Sequence, residues 1–215
     1  MVERVDLPVS DLPVKTRKEI LPASRLRITP HGVFLTGEPT RNQSRIYEDM
    51  CAKLARLSHP DKFIISPPVL DRMARAKGSI FSGSRPDSLL LSTDGNRVFL
   101  WGMQEYKSGD ETTSYKLPQK AGGFRTIMSR LEDNPSAIAT DLIDAIGDSY
   151  ERIPIDLSTV LVPHIVHVDF ITHSPATPVS DEAYPRLSLH YREIEAPVRT
   201  PSLEKGIEHV VFNAA

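Results

Sequence analysis

The stretch Arg85-Pro86-Asp87-Ser88-Leu89-Leu90-Leu91-Ser92-Thr93-Asp94-Gly95-Asn96-Arg97-Val98-Phe99-Leu100-Trp101-Gly102-Met103-Gln104-Glu105-Tyr106-Lys107 holds two apolar runs joined at Asp94-Gly95-Asn96. Turn chemistry between apolar runs reads as a hairpin, with strands from Ser88 to Ser92 and from Arg97 to Met103. Val98-Phe99-Leu100-Trp101 is apolar on both faces, as a central strand is. The hairpin carries Asp87, at the entrance of its first strand, and Glu105, at the exit of its second, toward one edge. Lys107 lies two residues beyond Glu105 and therefore on the same side. Glu105 and Lys107 are expected to continue the side of Phe99, Trp101 and Met103, a buried face opening into a charged pocket.

Parity decides whether the two acids meet. A three-residue loop at Asp94-Gly95-Asn96 sets Asp87 opposite Met103 and diagonal to Glu105, with Cβ atoms about 7 to 8 Å apart. A two-residue Asp94-Gly95 turn sends Asp87 to the opposite face unless a bulge restores the phase. Convergence thus requires an odd loop or a bulge.

Working outward, residues 1–30 carry Pro8, Pro13, Pro22 and Pro30 with a basic run of Lys15, Arg17, Lys18, Arg25 and Arg27, and read as an extended basic arm. Residues 31–192 read as the folded domain and 193–215 as a tail with Pro197 and Pro201. Within the domain, Ile46, Met50, Leu54 and Leu57 predict a helix from Asn42 to Leu57, and Leu70, Met73 and Ala74 a short one over 67–77. Ile80-Phe81 reads as a short strand. Phe124, Ile127, Met128 and Leu131 predict a further helix. Asn134-Pro135 opens another, with Ile138, Leu142 and Ile146 on its face and Gly147 past its end. Thr159 to Thr172 alternates and is β-branched, as a strand is. This order predicts an α/β domain with a core sheet and flanking helices.

The 215 residues suit one domain, and the net charge of -2 exerts no global pull toward nucleic acid, so such binding needs a local basic face. Cys51 is the only cysteine, which excludes internal disulfides and multi-thiolate zinc and makes Cys51 a core candidate. The N-terminus lacks a basic-then-apolar signal pattern, and no run approaches the roughly 20 apolar residues of a membrane span, so the expected location is cytoplasmic.

Two carboxylates and a lysine at one sheet edge can hold a divalent cation against a phosphodiester. Pro86, Asp87, Glu105 and Lys107 resemble the motif of the PD-(D/E)xK nuclease superfamily. The resemblance implies a restriction endonuclease-like mixed central sheet with flanking helices, Mg2+ or Mn2+ as cofactor, and DNA as substrate. It further implies Asp87 and Glu105 as metal ligands, the Tyr106 backbone carbonyl as a third, and Lys107 assisting the attacking water. Cutting both strands with one site per chain favours a homodimer. Superfamily members often carry another acid on the first helix. Glu48 lies opposite Ile46, Met50 and Leu54 on a helical projection and is expected to face water; Glu38 is a second candidate. Lys116, Lys120 and Arg125 follow the motif near a helix start, where cations and free N–H groups hold phosphates. The leading alternative is a noncatalytic nucleic-acid or protein-binding module retaining the fold.

His164-Ile165-Val166-His167-Val168-Asp169 is a competing constellation. His167, Asp169 and His173 share one side of a strand while His164 faces the other; His167-Val168-Asp169 with the later His190 resembles the two-histidine, one-carboxylate iron site of 2-oxoglutarate dioxygenases. Only 46 residues follow Asp169, too few for the strands of such a core. A G-x-S-x-G elbow, a Walker loop and a G-x-G-x-x-G fingerprint are all missing from the sequence.

Overall fold

The structure is a computed structural model that describes residues 25–36, 43–107, 116–173 and 176–194. It is an α/β fold built on an eight-stranded mixed sheet, β1 Arg25–Thr29, β2 Gly32–Thr36, β3 Phe63–Ile65, β4 Ser88–Asp94, β5 Arg97–Lys107, β6 Val160–Leu161, β7 Val166–Thr172 and β8 Leu187–Glu193. Among the described residues four α-helices accompany it, α1 Gln43–Ser58, α2 Pro67–Met73, α3 Lys116–Asp133 and α4 Ala137–Ile146. The sheet order is β1-β2-β3-β4-β5-β7-β8, with β6 also paired to β5. β3, β4 and β5 run antiparallel in sequence, and β5, β7 and β8 run parallel. Reaching a parallel neighbour from β5 needs a long crossover, which α3 and α4 supply.

Each face of the sheet has its own helical cover. On one, Leu89, Leu91, Val98, Leu100, Met103 and Val168 pack with Val69 and Met73 of α2, Phe124 and Met128 of α3, and Ile138 and Leu142 of α4. On the other, Tyr106 and Ile171 meet Tyr47, Met50 and Cys51 of α1, while Ile64 and Leu90 meet Ala55. We call these the α3 face and the α1 face. Cys51 is fully buried, as expected, and burial lifts its thiol to about 12, so it packs as a small hydrophobe.

Several expectations are corrected. Arg25–Thr29, assigned to the arm, forms β1 of the sheet; residues 1–24 of that arm lie outside the described residues, as does all of the tail beyond Ile194. Ile80-Phe81 is a turn, tied down by Asp141, whose carboxylate accepts from Ser79 Oγ at 2.7 Å and Ile80 N at 3.2 Å. The strand expected over 159–172 is split into β6 and β7, both on the same side of β5. Pro163 lies in the gap, where a residue without an N–H cannot extend a ladder. Helix α1 buries Tyr47, Met50, Cys51 and Ala55, a stripe rotated from the expected one, and leaves Leu57 73% exposed.

Candidate functional site

The hairpin turn has two residues, Gly95-Asn96, because Asp94 pairs with Arg97. From there the register runs Thr93 with Val98, Ser92 with Phe99 and Leu91 with Leu100, and then slips, so that Leu90 pairs with Gly102, Leu89 with Met103 and Ser88 with Gln104. One extra residue on β5, at Trp101, constitutes a β-bulge. Unbulged, the ladder would bring Asp87 opposite Gln104, with its side chain on the face away from Glu105. With the bulge, the next step of the ladder sets Asp87 opposite Glu105. The expected requirement of an odd loop or a bulge is met by the bulge.

The bulge also corrects the assignment of faces. Val98 and Leu100 lie on the α3 face before it and Met103 lies there after it, whereas Trp101 packs with Ile64 and Leu90 on the α1 face. Glu105 and Lys107 therefore continue the side of Met103 without Phe99 or Trp101. Gly102 permits the close approach of β7, since a Cβ there would stand 2.9 Å from the His167 carbonyl oxygen.

Glu105 is 0% exposed and Asp87 5%. Asp87 Oδ2 accepts from the Tyr106 N–H at 2.7 Å, and Oδ1 lies 3.6 Å from the Arg85 guanidinium. Burial, followed by the charge of Glu105, pushes the Asp87 carboxyl up to about 7, against a pull from the Tyr106 N–H and Lys107. Glu105 Oε1 pairs with Lys107 Nζ, and with Lys120 Nζ of α3 at 2.9 Å. Its other oxygen, Oε2, is buried without a hydrogen-bond partner. The Lys107 carbonyl accepts from His173 N on the β7 side at 2.8 Å. Backbone groups alternate along a strand, so the Tyr106 carbonyl turns with its N–H toward Asp87.

These residues fit a hard divalent cation. Mg2+ takes oxygen ligands, one or two carboxylates with waters completing the shell, and the site offers two buried carboxyl groups, one with an unpartnered oxygen, and a backbone carbonyl. Among the described residues no group of three or more His, Cys, Asp or Glu is arranged to hold a metal.

Other candidate residues separate into near and far. Lys120 reaches the site. Arg125 is exposed, its guanidinium 6.0 Å from the Tyr184 ring, and Lys116 opens α3 as a half-buried residue. Glu48, expected in water, is half-buried on the flank of the α1 stripe, and its charge contributes to raising Asp87. Glu38 lies outside the described residues. Arg85 was not singled out from the sequence, although it stands two residues before the acid; it also pairs with Asp71 at 3.1 Å.

The histidines occupy the α1 face. His167 Nδ1 and His190 Nε2 are 3.3 Å apart, with ring centroids 5.5 Å apart, so the two nitrogens face each other along the line between the rings. Asp169 Oδ2 accepts from Gln104 Nε2 at 2.8 Å and lies 4.0 Å from His59 Nε2. The carboxylate is engaged by Gln104, and among the described residues these groups do not assemble an iron triad. His164 is exposed, and the His173 ring lies edge-on to Tyr47.

The chain matches no family model, no curated protein and no solved structure. Among the described residues, no helix is long and apolar enough to cross a membrane.

Proposed function

We propose that the protein is a restriction endonuclease-like nuclease that hydrolyses DNA phosphodiester bonds with Mg2+ or Mn2+, in the cytoplasm. The observation that carries this reading is the bulge-matched pair Asp87 and Glu105, buried on one face with a glutamate oxygen left unpartnered. Retaining such groups is costly unless a ligand uses them. The mixed sheet between helical layers is the architecture that the motif resemblance implies.

Asp87, Glu105 and the Tyr106 carbonyl would hold the cation, which supplies Lewis acidity and a lowered pKa for bound water. Lys107 sits on the same edge with its ammonium toward Glu105. It orients the attacking water by donating to its oxygen and offsets charge building on the phosphoryl oxygens.

The second reading, a noncatalytic nucleic-acid or protein-binding module, is favoured by Lys107 and Lys120, because Glu105 already has counter-charges within the chain. Nicking of supercoiled plasmid separates the two. Metal-dependent nicking, abolished in Asp87→Ala and in Lys107→Ala, supports the nuclease. Nicking that survives both substitutions defeats the catalytic assignment, and a folded chain without metal binding favours the module.

A further inference from the structure

We propose that Lys120 is a positioning residue that sets the two metal-binding carboxylates relative to each other, instead of a clamp for nucleic-acid phosphates. This rests on the nuclease reading of the Asp87–Glu105 site.

Lys120 Nζ makes two internal contacts that belong to different segments. It lies 2.9 Å from Glu105 Oε1 on β5 and donates to the Arg85 carbonyl at 3.4 Å, two residues before Asp87. One ammonium therefore ties the end of β5 to the chain entering β4, the two segments that carry the acids. Its own seat is firm. Leu117, Ala121 and Phe124, on the turns around it, are fully buried, and Gly123 lets α3 lie directly against Ser84, where a Cβ would stand 1.7 Å from the Ser84 hydroxyl oxygen.

The placement also divides labour between the lysines. Both ammonium groups address Oε1, which leaves Oε2 free of partners. Lys107 comes from the strand that carries Glu105, and to orient a water it must loosen from that carboxylate. Lys120, anchored on a separate helix, then stays as the counter-charge and keeps the glutamate from rotating. A phosphate clamp would leave its ammonium to the solvent; the Lys120 side chain is 32% exposed and engaged twice within the chain.

The test is Mn2+ affinity of the full chain by calorimetry, with wild type, Asp87→Asn, Glu105→Gln, Lys107→Ala, Lys120→Ala and Lys120→Arg. Removing an outer partner of a metal ligand typically weakens affinity about 10- to 100-fold, and that is the loss expected for Lys120→Ala. Lys120→Arg restores most of it, and KM for DNA at saturating Mn2+ is unchanged in Lys120→Ala. If the alanine variant does not fold, Lys120→Met, which keeps the packed stem, replaces it with the same expected loss. Wild-type Mn2+ affinity in Lys120→Ala, with a raised, salt-sensitive KM for DNA, overturns the proposal in favour of a phosphate clamp. Wild-type chain that binds no Mn2+, or binding indifferent to Asp87→Asn and Glu105→Gln, overturns the site and the proposal together.

Discussion

Asp87→Asn is expected to make the protein more stable at pH 8 and no more stable at pH 4. The Asp87 carboxyl is 5% exposed and pushed up to about 7 from the ordinary aspartate value of 3.8, by burial first and then by Glu105. Because the folded-state value is the higher one, the folded chain holds a proton that the unfolded chain has released between about pH 4 and 7. The stability contributed by that proton is complete below about pH 4 and is lost as pH rises through 7. The rise from 3.8 to about 7, at 1.36 kcal/mol for each tenfold change in proton affinity, gives a swing on the order of 4 kcal/mol. Asparagine keeps the shape and an oxygen for the Tyr106 N–H but does not ionise. Urea unfolding of both proteins from pH 4 to 8 should give a difference that opens with rising pH to a few kcal/mol. Mn2+ at about 100 times its Kd should return about 2.7 kcal/mol to wild type and little to the variant. Parallel pH profiles, or a variant less stable at pH 8, would refute the reasoning.

Trp101, the sole tryptophan, stacks on His167 at 4.6 Å between ring centroids, and burial followed by the charge of His190 holds His167 below the usual histidine value of 6.5. His59 packs on the same ring at 4.7 Å and is also held below 6.5 by burial. Protonated imidazole quenches indole, so fluorescence should fall on acidification with a midpoint below 6.5, and His59→Ala with His167→Ala should flatten that titration; a midpoint above 6.5 contradicts the assignment. Gly102→Ala would force a Cβ to 2.9 Å from the His167 carbonyl, and is expected to cost about 1–3 kcal/mol in urea unfolding. It should also weaken Mn2+ binding, since the bulge sets the phase of Glu105; full retention of both would count against the bulge as the organising feature.

The paired faces of the hairpin were legible because side-chain direction alternates strictly, so that two acids 18 positions apart posed a parity question with few answers. The answer itself was not legible. A bulge at Trp101 is a local slip whose one sequence signal, Gly102 inside an apolar strand, marks a bulge or a close backbone approach without fixing the register, and it reversed the side on which Phe99 and Trp101 lie. Helix α1 was readable in extent, yet its stripe was misplaced, because Tyr47 and Ala55 are buried and Ile46 is 37% exposed. The apolar count alone ranked these residues the other way. Strand β3 spans three buried residues between a turn and the prolines of α2, too short for any period to show. Lys120 looked like one cation among several; only the packing of α3 against Ser84 brings it to Glu105. Pro86-Asp87 and Glu105-Tyr106-Lys107 drew attention to two acids that the bulged ladder does bring opposite each other, whereas Arg85 had no signal beyond adjacency.

The most direct measurement is anomalous diffraction from crystals soaked in millimolar Mn2+. One peak is expected, about 2.0 to 2.2 Å from oxygens of both Asp87 and Glu105 and near the Tyr106 carbonyl. No peak at those carboxylates, or a peak elsewhere with Asp87 still bound only to the Tyr106 N–H, would contradict the account.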